Sequence, residues 1–142
     1  MNARHLLLAL CLLPALHAHA AEHFCGQGKP HPIDQALARA AERSSGVTMG
    51  LADAQGAAWA AWDKELNRLY AALQKAAGPE RRETLRAAQR AWLAYDKAQA
   101  LWDAALHADE GTSAALNTGG ASLARRRARV CDLQSALDGL QP

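Results

Sequence analysis

Along the chain, segments with a three-and-four repeat of apolar residues alternate with short polar breaks. From Thr48 onward, Leu51, Gln55, Ala58, Trp62, Leu66, Leu69, Leu73 and Ala76 keep steps of three and four, the signature of one helix face. The pattern predicts a long helix over about 48–77, with Thr48 as its N-cap. Gly56 lies inside it and marks a bend or a close approach. Gly78-Pro79 is the strongest punctuation, because glycine suits a helix end and proline the first turn of the next helix. Leu85, Ala88, Trp92, Tyr95, Gln99, Trp102 and Leu106 then give a second seam, on a helix over about 79–107. So short a connection requires the two long helices to run antiparallel as a hairpin. Upstream, Asp34 caps a short helix that stops at Ser44-Ser45-Gly46. Downstream, residues 109–120 read as a loop rich in small residues. Ser122 caps a last helix over about 122–138, whose stripe of Leu123, Arg126 or Arg127, Val130, Leu133 and Leu137 closes on the hairpin.

The first twenty residues stand apart from this pattern. A short basic start, an apolar run from Leu6 to Leu16 and the small residues of Ala18-His19-Ala20 form a secretory signal, with cleavage expected between Ala20 and Ala21. The run is short for a membrane span. The expected mature protein is therefore a single domain over 21–142, soluble in the periplasm or outside the cell.

Composition sharpens the fold class. The chain holds 35 alanines, while its β-branched residues are only Val47, Val130, Ile33 and four threonines. Alanine is the best helix former, and a sheet needs β-branched residues on its faces. The expectation is an all-α fold, a small helical bundle built on the long hairpin. Lysine and arginine number 16 against 14 acids, a balance that gives no general attraction to nucleic acid or anionic lipid. Two cysteines remain after signal removal, Cys25 and Cys131. In an oxidising compartment such a pair usually forms one disulfide, and the alternative is two free thiols.

Little in the sequence points to catalysis. There is no nucleophile elbow, phosphate loop or haem attachment motif. His23, His31 and His107 lack a second histidine one helical turn further along. No catalytic residue, metal site or cofactor is expected. Arg125, Arg126, Arg127 and Arg129 form a basic cluster, which reads either as a solvated helix face or as a contact for an acidic protein partner. Asn67 and Tyr70 flank the first long seam, and Gln89, Trp92 and Asp96 share a face of the next helix. Such polar groups either hydrogen-bond across a seam and fix its register or form a binding surface.

Leu66, Asn67 and Tyr70, followed by Leu85, Arg86, Gln89, Arg90, Trp92, Tyr95 and Asp96, make up a pattern that resembles the LprI-type lysozyme inhibitor family of secreted bacterial proteins. Glu110-Gly111-Thr112 resembles the family's glycine turn, and the segment from Cys131 to Ser135 its closing cysteine segment. Alanine stands at Ala100, where family members commonly carry a cysteine, and a second family cysteine is missing near Leu51 to Ala54. The resemblance implies that one of two disulfides is lost and Cys25–Cys131 kept. It also implies a secreted or periplasmic binding protein, not an enzyme, that inhibits a lysozyme-like peptidoglycan hydrolase. Two other readings fit the same residues: an immunity protein against a peptidoglycan-degrading antibacterial toxin, and a non-inhibitory adaptor of the cell envelope. Lysozymes work through carboxylates in a cleft, so Glu110, Gly111, Thr112 and the four arginines are the candidate partner contacts.

Overall fold

The computed structural model describes residues 24–140; the predicted signal and its cleavage site lie outside the described residues. A single 3-10 turn, Phe24–Gly26, leads to helices α1 (Pro32–Arg43), α2 (Thr48–Ala76), α3 (Pro79–Leu106) and α4 (Ala114–Asp138), with a second 3-10 turn, Gly111–Ser113, before α4. Among the described residues there is no strand, and no helix is long and apolar enough to cross a membrane.

Local chemistry sets most of the boundaries. α1 starts at Pro32, a residue suited to the first helical turn. Its cap is His31, whose Nδ1 accepts the Ile33 N–H at 3.2 Å, rather than the expected Asp34. Thr48 is the first residue of α2 and not its cap; Val47 stands at that position without a side-chain bond. Gly78 and Pro79 separate α2 from α3 as predicted. α4 differs from expectation, because it begins eight residues before Ser122. Gly119 and Gly120, which read as loop, are helical where α4 passes α2. A Cβ on Gly119 would sit 2.9 Å from Gln55 Oε1, so a larger residue there would turn the end of the Gln55 side chain aside. No such contact exists at Gly56, where an added Cβ meets nothing within 4 Å.

α4 is the central element. It packs on α2 along most of its length and on α3 over a shorter stretch, whereas α2 and α3 barely touch. Gln55 meets Gly119, Trp59 meets Ser122 and Asp63 meets Arg126, so α2 and α4 run parallel. Asp103 meets Arg125, Asp96 meets Arg126 and Gln89 meets Arg129, so α3 runs antiparallel to α4. The long helices are thus antiparallel, as their short connection requires, but they do not pack as a hairpin: α4 stands between them.

The apolar core belongs to α2 and α4. Trp62, Leu66, Leu69 and Leu73 of α2 close on Leu123, Val130 and Leu133 of α4. Trp62 is fully buried and has His31 against its ring, with 4.5 Å between ring centres. The predicted α2 face is confirmed from Ala58 to Leu73; beyond it Ala76 is exposed and Ala77 is buried instead. Cys25 and Cys131 form a disulfide that ties the N-terminal arm to α4, spanning a sequence separation of 106.

Candidate functional site

Successive residues of a helix point about 100° apart. Three consecutive arginines on the central helix must therefore face three directions. Arg125 turns to α3, where its Nε donates to Asp96 Oδ1 at 2.9 Å and its Nη1 to Asp103. Arg126 points between α2 and α3, donating to Asp63 of the first and to Asp96 of the second. Arg127 turns to α1 and grips Asp34 with two guanidinium nitrogens at 2.8–3.0 Å. Arg129, one turn beyond Arg125, returns to α3 and donates to Gln89 Oε1 at 3.0 and 3.2 Å. The cluster is thus not a solvated face. All four arginines expected to meet a partner's carboxylates pair with groups of this chain.

Arg126 is the hub. It is buried, with its guanidinium carbon 4.1 Å from the centre of the Trp59 ring and 5.4 Å from that of Trp92. Trp59 is fixed in turn by an indole N–H bond to Ser122 Oγ at 3.1 Å. Arginine suits this place because its flat, weakly hydrated cation can lie along indole faces while its edge donates to carboxylates.

These pairings explain which face α3 buries. Leu85, Gln89, Trp92, Asp96, Gln99 and Asp103 turn toward α4, again at steps of three and four. The expected seam shared Leu85, Trp92 and Gln99 with it but took Ala88, Tyr95, Trp102 and Leu106 instead of the polar residues. Tyr95, Trp102 and Leu106 are in fact exposed. The carboxylates win the inward positions because a row of buried cations left without them would cost far more than exposing a few apolar side chains. The Gln99 amide and the Arg125 guanidinium hold the Asp103 carboxyl below its ordinary pKa.

Where α2 and α3 diverge, a cleft of about 400 Å³ opens. Asn67 and Tyr70 form one wall, Gln89 and Arg90 the other, and Arg126 also lines it. Six of the family-pattern residues, Leu66, Asn67, Tyr70, Arg86, Gln89 and Arg90, thus meet around one opening. Trp92 and Asp96 belong instead to the packing on α4, and Tyr95 faces outward. Asn67 donates to Asp63 Oδ2 at 3.2 Å. Asp34, Asp63 and Asp103 escaped sequence reasoning as partners, although the in-phase polar row Gln89, Asp96, Gln99 and Asp103 is visible in the sequence.

Glu110, Gly111 and Thr112 occupy the exposed turn between α3 and α4. Gly111 has φ +60°, a conformation that favours glycine. Glu110 accepts from Asn117 and meets His107 Nδ1 at 2.8 Å, and these two groups hold its carboxyl below the ordinary value. The turn is braced from within, far along α3 from the cleft. Among the described residues, no group of three or more histidines, cysteines or carboxylates is placed to hold a metal ion.

Against known families, the model described as lysozyme inhibitor LprI matches residues 38–133, which include all of α2 and α3 and most of α4. No curated protein and no solved structure matches the chain.

Proposed function

The chain belongs to the LprI lysozyme inhibitor family, and from that membership we propose that it inhibits a lysozyme-like peptidoglycan hydrolase by binding, without chemistry of its own. The observation that carries this reading is the family match, which spans the helices that build the arginine row and the cleft. The architecture supports it. α4 fixes its neighbours through ion pairs and a disulfide, so a binding surface is held in one shape before contact, which lowers the entropic cost of association. Leu66, Gln89, Trp92 and Asp96 serve that internal packing, while Asn67, Tyr70 and Arg90 stand at an opening a partner can reach. The site of action is outside the cytoplasm, a reading favoured by the signal-like N-terminal sequence and by a disulfide pairing.

The experiment is a turbidity assay of cell-wall lysis with purified mature protein. The expected outcome is slower lysis by at least one lysozyme type. Unchanged lysis at large molar excess over several lysozyme types refutes the proposal.

A further inference from the structure

Eight large apolar side chains are exposed among the described residues, and five of them lie on α3: Leu93, Tyr95, Leu101, Trp102 and Leu106. So uneven a distribution calls for an explanation, because contiguous exposed apolar surface in a small domain commonly marks an interaction site. Leu93 lies toward the cleft, but the other four are neighbours on the outward side. Tyr95, Trp102 and Leu106 fall at steps of seven and four, and Leu101 completes the strip; Leu101 is 70% exposed and Trp102 60%. Ala91, before them, and Ala94, Ala98 and Ala105, among them, are also exposed and extend the strip from Ala91 to Leu106. The strip runs for about 22 Å at 1.5 Å per residue. It is a narrow ridge, since the alanines add little width and the aromatic rings stand out from it.

Its charge is one-sided. Arg90 and Lys97 fall beside Leu101 along one edge, while Tyr95 and Leu106 form the other. From Thr84 to Trp102 the helix has a single acid, Asp96, and that one is turned inward to Arg125 and Arg126. The outward face of this stretch therefore offers apolar surface and positive charge only. Its complement is a groove with apolar lining and carboxylates. A hydrolase of the lysozyme type has such a groove, the cleft that binds its sugar chain between catalytic carboxylates. A second copy of this chain complements it poorly. An antiparallel pairing centred on Ala98 brings the Lys97 of both copies within one turn of each other on the same edge, like charges side by side.

We propose that the outward face of α3, with Tyr95, Leu101 and Trp102 at its centre and Arg90 and Lys97 at its edge, is the surface that enters the substrate cleft of the inhibited muramidase. The inference rests on the inhibitory function proposed for the chain. It assigns the contact to a helix face, the helix-in-groove mode of recognition, rather than to the glycine turn or the arginine cluster.

The test uses the mature protein and a lysozyme that it inhibits, with Trp102→Glu, Leu101→Glu and Lys97→Glu as variants. Met49→Glu is the control, at an exposed apolar position of α2 away from α3. Circular dichroism and the melting temperature should match wild type for all four. Inhibitory potency should fall about thirtyfold for Trp102→Glu, the loss expected of a central aromatic anchor, and should persist in Met49→Glu. A soluble N-acetylglucosamine oligomer that fills the hydrolase cleft should displace the wild-type protein. Full potency in both the Trp102 and Leu101 variants overturns the assignment while the inhibitory function stands. So does binding that the oligomer leaves untouched, or a wild-type dimer in light scattering that Trp102→Glu dissolves. Failure of the wild-type protein to inhibit any lysozyme overturns the function and this inference together.

Discussion

Replacing Asp96 with alanine measures what the arginine row contributes to the fold. The Asp96 side chain is 13% exposed and accepts from two guanidiniums, at 2.9 Å from Arg125 and 3.0 Å from Arg126. Each arginine keeps a second carboxylate, Asp103 and Asp63 respectively, so the substitution strands no lone buried cation. It removes two charge-assisted hydrogen bonds, worth about 1.5–3 kcal/mol each. Two effects reduce the sum. Three carboxylates around two guanidiniums repel one another, and that repulsion eases when one leaves. Water can also reach Asp63, whose side chain is 35% exposed and can follow Arg126. The expected loss is about 2–3 kcal/mol, below the 3–5 kcal/mol of a buried pair broken outright. Asp96→Asn keeps one acceptor and should lose roughly half as much. Urea unfolding followed by far-ultraviolet circular dichroism, with the disulfide intact, gives both values; the slope of the transition should not change. A loss under about 0.5 kcal/mol for Asp96→Ala would falsify the view that these pairs hold α3 in place, and would put them among surface ion pairs of little worth.

Other outcomes follow from other parts of the molecule. Gly56→Ala should stabilise the protein by about 0.5–1 kcal/mol, because the position is exposed, helical and open; a destabilised variant refutes the account of α2 as an unbent helix there. Reducing Cys25–Cys131 frees a ring of about a hundred residues and should lower stability by up to about 4–5 kcal/mol, read as a shift of the urea midpoint; no shift contradicts it. Thiol labelling of the denatured, unreduced mature protein should find no free cysteine. His31 is held below its ordinary value of 6.5, first by burial, although Glu65 and Asp34 pull it upward. Its folded form is thus the neutral one, which accepts the Ile33 N–H. That contribution is complete above pH 6.5 and is lost as pH falls toward the lower folded value. His31→Asn keeps a capping side chain and should flatten the stability profile between pH 7.5 and 5.5; an unchanged slope assigns it to another group. Glu65, Asp103 and Glu110 are all depressed, Glu65 chiefly by Arg68. Their contribution is complete above the usual carboxylate range and disappears below about pH 4.

The helices were legible because their apolar spacing and the Gly78-Pro79 break are local signals. The α2 face proved right for the same reason: large aliphatic residues there have only one apolar partner surface to seek. α3 is the instructive failure. Two faces of this helix keep a three-and-four repeat, one led by Tyr95 and Trp102 and the other by Asp96 and Asp103. Hydrophobicity alone favours the first. Only the arginines of α4, some thirty residues on, decide for the second, and the periodicity of α3 alone cannot rank the two faces. As a cluster Arg125 to Arg129 read as a solvated or partner-facing run, although the apolar stripe already drew Arg126 or Arg127 inward; three adjacent positions on the central helix face three ways, and Arg126 is the buried one. Gly119-Gly120 misled in the opposite way, as a break in local terms and a contact in tertiary ones.

The central place of α4 also has a bearing on the order of assembly. The helix on which both α2 and α3 pack follows them in the chain, and Cys131, the second half of the disulfide, lies within it. A chain ending before Ala114 carries α1, α2 and α3 without the Leu123, Val130 and Leu133 surface that covers the α2 face, and without the arginines that meet Asp34, Asp63, Asp96 and Asp103. Such a nascent fragment has little reason to collapse into a fixed structure. Closure waits for α4, so the segment that carries α1 to α3 stays open, without its main packing partner, until that helix has been made.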